Sequence, residues 1–409
     1  MNSPTIGVLG PIALEEYREF LPEHCFAPGA PRGLGGASIN LNVRELLRRG
    51  RRVVVFSLDP SLTEERVFEG ERLKICLGPY TDQRARVYFR RERDYLLSAL
   101  RRERPDVLSA HWTYEFALAA IASGIPHLVT ARDAPWVILR HNPSPYRMVR
   151  TAMAYHAARL TRRMAAVSPH VARHLHRYGF HSRPIDVIPN GVPPEFFRPP
   201  AGREPDGTLT FASIFSGGWR GLRNGASAIE AFAMARPALP AARLLLIGDE
   251  CAADGPAAAW ARARGFDAGI EFLGRMPYAA VMGTLARKVD VLVHPALEES
   301  FGMVLLEAAA AGVPIIAGKA SGAVPWVLGD GAHGVLVDVR SPPEIAAAMR
   351  RLGTDADARR HLAAAARDAM RDRFDIGRTM DRYEDIFEQL AWAGSRGSGS
   401  HGAGGSPSA

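Results

Sequence analysis

The sequence of 409 residues predicts an α/β protein made of two doubly wound domains, and three observations predict it. Apolar runs without period-two alternation are separated by helical segments, the mark of parallel strands covered on both faces. That alternation stops once, at the Pro- and Gly-rich stretch 193–207, and then starts afresh. The chain is also long for a single hydrophobic core.

In order, TIGVLG (5–10) reads as the first buried strand. A loop rich in Pro and Gly (27–38) follows, and then a helix over INLNVRELLRRG with Gly50 at its end. RRVVVFSLD (51–59) is the next strand. The series continues through DVLSAHW, FALAAIASG, PHLVTARD, AVSPHVARHLHRYG and IDVIPNGV. After the break come TLTFASIF, RLLLIGD, IEFLGR, DVLVHPA, VPIIAG and GVLVDV. The predicted organisation is an N-terminal Rossmann-like domain over 1–194, a linker over 195–207 and a second Rossmann-like domain over 208–375. A C-terminal helix over 376–394 returns to the first domain, and 395–409 is a flexible tail. Two such domains are expected to face a central cleft, because open α/β sheets bind ligands beyond the C-terminal ends of their strands.

Hydrophobic content of 47% and charged content of 23% suit a soluble globular protein. No run approaches the length of a membrane span and no basic-then-apolar leader opens the chain, so a cytoplasmic protein is expected. Cys25, Cys76 and Cys251 are far apart, which argues against a disulfide framework or a zinc knuckle. Net charge is uneven: residues 1–198 carry 29 Lys+Arg against 19 Asp+Glu, and the remainder 22 against 24. The basic clusters at 48–52, 84–93 and 159–163 predict anionic company, with peripheral contact to an anionic membrane as the expectation. Nucleic acid is disfavoured because the arginines are not interleaved with aromatics on an evident platform. His170, His174 and His176 decorate an Arg-rich helix and form no zinc motif.

The most informative stretch is EESFGMVLLEAAAAGVPIIAG (298–318). A strand, DVLVHPA, leads into a loop and then a helix closed by Gly312, with Ser300 as the expected N-cap. Backbone N–H groups at Phe301, Gly302 and Met303 would then offer an anion site suited to a diphosphate. Glycine at 302 lets a phosphate approach closely. Glu299 before the helix and Glu307 inside it would lie on the order of 12 Å apart along the axis. A nucleotide sugar could place its hexose at Glu299, its diphosphate on the N–H groups and its ribose at Glu307. Read alone, the stretch also admits the plainer alternative that Glu299 is a loop surface charge and Glu307 a helix-face residue.

This stretch resembles the E-x7-E signature of family-4 glycosyltransferases, EGFGxxxLEAMAxGxPVIA. The resemblance extends to GLGGASINLNVRELLRRGRRVVVFS, DVLSAHW, AAVSPHVARHL, IDVIPNGVPPEFFRP and GVLVDV, in order along nearly the whole chain. It implies a GT-B fold and retaining transfer of a sugar from a nucleotide donor to a glycan, lipid-linked or small-molecule acceptor, with no bound metal or cofactor. By position, Glu299 would contact the transferring sugar and Glu307 the ribose. Ser300, Phe301, Gly302 and Met303 would meet sugar and phosphate, and Gly35 and Gly36 would approach the donor phosphates from the N-terminal domain.

Three departures stand out. Where the family usually has GRLxxxKG, this chain has SGGWRGLRNG (216–225), so Arg223 falls at the Lys position and Gly218 at the Arg position, with Arg220 a substitute cation. A cation there would stabilise the leaving diphosphate. The family's TxHD histidine is replaced in TARDAPW by Arg132, followed by Asp133. Trp326 stands where many members have Glu, which fits either a stacking surface for a sugar or plain packing against the sheet. His111, Asp133 and Trp326 complete the candidate cleft residues. A sugar-nucleotide epimerase of similar architecture remains the rival activity.

Overall fold

The computed structural model describes residues 3–197 and 207–398, with side chains as far as residue 392. Most of the predicted linker (198–206) and of the predicted tail (399–409) lies outside the described residues. The chain forms two compact units: Met1–Leu139 with Pro143–Gly191 and Ile376–Ala409, and Val192–Asp375 with Arg140–Asn142. The break thus falls after Gly191 rather than after residue 194.

The first unit holds an eight-stranded sheet. Its strands are β1 (Ile6–Leu9), β2 (Val53–Asp59), β3 (Arg66–Glu69), β4 (Leu73–Pro79), β5 (Val107–His111), β6 (His127–Ala131), β7 (Met164–Ala166) and β8 (Ile185–Val187). Their order is β3-β4-β2-β1-β5-β6-β7-β8, with only the β3–β4 pair antiparallel. Every residue of β2 is buried, which is why its sequence opens on the apolar run Val53–Phe56 without period-two alternation. Helices α1 (Ala37–Arg48), α2 (Arg90–Glu103), α3 (Glu115–Ser123), α4 (Pro135–His141), α5 (Pro145–Leu160) and α6 (Pro169–Arg177) connect the strands. Ile39, Val43, Leu46 and Leu47 give α1 one apolar stripe at helical spacing, and that stripe lies in the core beside β1 and β2.

The second unit holds an all-parallel six-stranded sheet. It comprises β9 (Thr210–Phe215), β10 (Arg243–Gly248), β11 (Ile270–Gly274), β12 (Val291–His294), β13 (Ile315–Gly318) and β14 (Val335–Val337), in the order β11-β10-β9-β12-β13-β14. Around it lie α7 (Gly225–Ala235), α8 (Pro256–Arg262), α9 (Tyr278–Lys288), α10 (Met303–Ala310), α11 (Val324–Val327), α12 (Pro342–Thr354) and α13 (Ala356–Arg373).

The last helix, α14 (Ile376–Ser398), belongs to the first unit. Ile376, Met380, Tyr383 and Phe387, at helical spacing, join the same core as the α1 stripe. Arg49 reaches Asp381 at 2.7 Å and Glu384 at 2.6 Å, and Arg51 reaches Glu384 at 2.5 Å. The predicted basic cluster at 48–52 is therefore largely neutralised within the chain. Helix α14 also runs past 394 to Ser398, so four residues expected in the tail are helical.

Three strands were not anticipated. In β3 three of four residues are exposed, so it lacks the apolar run that marks the others, whereas the buried run of β4 was passed over. Strand β7 is only three residues long, too short to show a period. Cys25, Cys76 and Cys251 are all free and buried, and burial pushes the Cys76 thiol up to about 11 and that of Cys251 to about 12. No helix among the described residues is long and apolar enough to cross a membrane.

Candidate active site

In the second unit, β12 ends at His294 and the chain crosses a loop before α10 begins at Met303. The helix starts later than expected: its N-cap is Gly302, at φ 88°, and not Ser300. A Cβ at 302 would approach Leu305 Cδ1 to 3.0 Å in a left-handed backbone, so glycine is required by conformation as well as by any ligand. The first N–H groups of a helix have no acceptor inside it, which leaves the start of α10 an electropositive backbone site.

Glu299 lies in that loop and is clamped. Arg223 Nη1 donates to its Oε1 at 2.5 Å, and Arg223 is itself held by the carbonyl of Ser216 at 3.0 Å. His294 Nε2 stands 3.3 Å from the same carboxylate oxygen, near enough to attract it although poorly angled for a hydrogen bond. The backbone carbonyl of Glu299 accepts from Ala323 N at 2.8 Å. Burial pushes the carboxyl up, but His294 and Arg223 together overcome this and hold it below its ordinary value. Glu299 is therefore a fixed carboxylate.

Glu307 presents the opposite case. It lies inside α10, is buried, and its one hydrogen bond shown is from the hydroxyl of Tyr278 at 3.2 Å. Burial raises its carboxyl to about 7, with the Tyr278 bond a lesser opposing influence.

The other predicted residues fall into two groups. Arg220 is exposed, its guanidinium 4.9 Å from the Trp219 ring centre, and it joins no ion pair among the described residues. Phe301 is turned inward, 5.3 Å from Phe374 and 6.3 Å from Trp326 between ring centres. Only its backbone can serve a ligand. Trp326 completes that aromatic cluster, 5.6 Å from Phe374, with Arg373 5.5 Å from its ring centre. The indole is half-buried, packed in part against these rings.

In the first unit Gly35 and Gly36 have φ of 87° and 102°, and Gly36 caps α1. A Cβ on Gly36 would lie 2.1 Å from the Pro11 carbonyl oxygen, so no other residue fits that turn. His111, at the end of β5, is buried and held well below its usual range by burial and by Arg132. Asp133 accepts from Tyr114 at 2.7 Å, and burial raises its carboxyl. Of the three helix histidines, His174 is buried with its ring 4.8 Å from that of Tyr178, and His176 Nδ1 lies 3.1 Å from the His181 carbonyl. Sequence reasoning passed over His294, Tyr278, Ser38 and Asn190. His294 alone left a signal, as the polar end of an otherwise apolar strand.

Two units with parallel sheets, the second carrying a paired carboxylate and arginine beside a helix start, define a protein of the GT-B class. Solved structures bear out the fold. The chain resembles sucrose-phosphate synthase from Thermosynechococcus elongatus with a TM-score of 0.75 at 18% identity, covering 96% of this chain and 100% of that one. A complex of Anabaena HepE with UDP and glucose gives 0.66 at 15% identity, covering 95% and 100%. Residues 38–196 match the family model Glycosyltransferase Family 4, and residues 214–369 match Glycosyl transferases group 1. Together these span more than three quarters of the chain, which belongs to the family-4 glycosyltransferases.

Among curated relatives, a D-inositol 3-phosphate glycosyltransferase of Corynebacterium kroppenstedtii is 34% identical over 128 residues, 31% of this chain and 28% of that protein. One from Segniliparus rotundus is 32% identical over 189 residues, 44% of this chain and 42% of that protein. The matched part spans less than half the length of each.

Proposed function

We propose that the chain is a retaining hexosyltransferase that uses a nucleoside-diphosphate sugar and a hydroxyl acceptor, without a bound metal. The observation that carries this reading is the Arg223–Glu299 pair beside the N-terminus of α10. The C1–O bond to the diphosphate breaks and its electron pair leaves on the diphosphate, which the α10 N–H groups, Arg223 and Arg220 neutralise. The acceptor oxygen bonds to C1 from the same face and its proton passes to a phosphate oxygen. Glu299, held ionised, orients the hexose and does not act as a base. Glu307 takes a ribose hydroxyl. UDP is favoured as the nucleotide by the UDP complex of HepE, and a polyol phosphate as acceptor by the relatives' names. The test is NMR of the product formed with UDP- and GDP-hexoses, run in EDTA as well as in magnesium. A product of unchanged anomeric configuration, formed in both conditions, is expected. Turnover of donor without any acceptor would instead mark an epimerase, and complete reversible loss in EDTA would remove the metal-free route.

An anionic membrane is the surface we assign to the first unit. From Ala134 to Ile185 the sequence has nine Arg and no Asp or Glu. Helix α5 exposes Met148, Tyr155 and Leu160 beside Arg159 and Arg162, and Tyr178 and Arg177 are exposed at the end of α6. Aromatic and basic side chains together suit a lipid headgroup layer. The 48–52 cluster, neutralised by α14, drops out of this surface. Sedimentation with phosphatidylglycerol vesicles at low salt, but not with phosphatidylcholine, is expected, and equal behaviour with both would remove the assignment.

A further inference from the structure

Two side chains of the second unit anchor Glu299, and they differ in what else they can reach. Arg223 Nη1 donates to its Oε1 at 2.5 Å, and His294 Nε2 stands 3.3 Å from the same oxygen. Both anchors thus converge on Oε1, which leaves Oε2 for a hexose hydroxyl. The Arg223 side chain is 30% exposed, whereas that of His294 is 4% exposed. Arg223 also donates to the carbonyl and hydroxyl of Ser216, and its guanidinium has more donors than these contacts use. It can therefore meet an incoming anion. His294 is too deeply buried to do so.

One frame carries both anchors. His294 ends β12 in register with Ala317 of β13, so the sheet sets its place. Arg223 stands in the turn before α7, and that turn is tied to the chain just after β12. Leu297 N donates to the Leu222 carbonyl at 2.8 Å, and Asn224 Nδ2 to the Pro295 carbonyl at 3.0 Å. His294 Nε2 is buried and makes no aligned hydrogen bond in the free protein. A buried polar atom left in that state is costly, and poorly aligned bonds at catalytic sites often tighten once a ligand arrives.

The reading above gives Arg223 two tasks that compete, pairing with Glu299 and neutralising the diphosphate. The diphosphate carries the greater charge, so on binding it draws the guanidinium away from the carboxylate. A buried carboxylate deprived of its partner is unstable unless another donor holds it. We infer that His294 is a positioning residue for transfer: it takes over Oε1 of Glu299 when Arg223 turns to the diphosphate, and so keeps Oε2 aimed at the hexose. This rests on that reading, in which Arg223 meets the diphosphate.

The consequence is a change in proton linkage. Burial raises the Glu299 carboxyl, and His294 and Arg223 are the charged or titratable groups that lower it. Without His294, nucleotide binding removes the remaining partner and Glu299 takes up a proton. Binding that takes up a proton weakens as pH rises.

The experiment uses the full chain, with His294→Leu removing the donor and His294→Gln keeping one. UDP, GDP and ADP are titrated calorimetrically at about pH 5 and about pH 7.5, each in two buffers of different ionisation enthalpy so that exchanged protons are counted. For a nucleotide that binds the parent, His294→Leu should match the parent within about two-fold at the lower pH and bind at least ten-fold more weakly at the higher pH. It should also take up more protons on binding than the parent does, and His294→Gln should recover most of the loss. Equal affinity of parent and His294→Leu at both pH values would overturn the inference. So would a loss of the same size at both, which marks a packing role, or a His294→Gln no better than His294→Leu. Failure of all three nucleotides to bind the parent would instead remove the transferase reading on which the inference rests. If His294→Leu is poorly folded, His294→Met replaces it and the same outcomes decide.

Discussion

Glu299 and Glu307 lie eight residues apart on one loop–helix segment, yet the chain treats them in opposite ways. Glu299 has an arginine at 2.5 Å and a histidine at 3.3 Å, and is held ionised. Glu307 has a tyrosine hydroxyl and apolar surroundings, and its carboxyl is raised to about 7. The lesson is that position in a motif does not set the state of a carboxylate. Charge partners do, and these come from elsewhere in the chain: Arg223 from the turn before α7, His294 from the end of β12.

The comparison is broken most severely at Glu299. Glu299→Ala should lower transfer about a hundred- to a thousand-fold, the range for losing one preorganised electrostatic contact to a transition state. Free-nucleotide affinity should hardly move, because the lost contact is to the hexose. Steady-state kinetics beside calorimetry would check it, and equal losses in turnover and nucleotide binding would refute it.

Glu307→Ala should act on binding instead. Losing a hydrogen bond of this kind costs roughly 1.5–3 kcal/mol, about ten- to a hundred-fold in affinity for donor and free nucleotide alike. If nucleotide binding weakens only in Glu299→Ala, the donor runs the other way along the helix.

The third prediction sharpens the contrast without any ligand. A carboxyl raised from 4.5 unfolded to about 7 folded binds more protons in the native state across that window. Its ionisation therefore destabilises the fold increasingly as pH rises from about 4.5 to about 7, and no further above that. Glu307→Gln should be isostable with the parent near pH 4 and more stable by about 1–3 kcal/mol above pH 7. Glu299 has the opposite sign, since its lowered carboxyl contributes stability that is lost only on acidification through its folded value. Urea melts of Glu307→Gln at a series of pH values would show the rise and plateau, and a pH-independent difference would remove this account.

Much of the fold was legible because parallel strands buried on both faces carry apolar runs without alternation, as in Val53–Phe56 and Ile315–Gly318. A pause in the alternation near the unit boundary was legible for the converse reason, that Pro and Gly cannot continue either element, although the boundary itself falls after Gly191. Strand β3 was not legible, because an exposed edge strand carries no hydrophobic signature. The start of α10 was misplaced by two residues: serine is a common cap, but the left-handed turn at Gly302 decided the matter.

What the sequence by itself determined is the α/β alternation, the two-unit plan and the segment on which Glu299 and Glu307 stand, since each rests on local spacing and local backbone preference. Only the tertiary structure decided which charges meet. Trp326 packed against Phe301 and Phe374, Arg49 and Arg51 were neutralised by Glu384, and Arg223 found Glu299, while among the described residues Arg132 has no acid within ion-pair distance. The physical reason is that ion pairing and desolvation depend on through-space distances of a few ångströms between residues tens or hundreds of positions apart, and no local pattern in a chain encodes those distances.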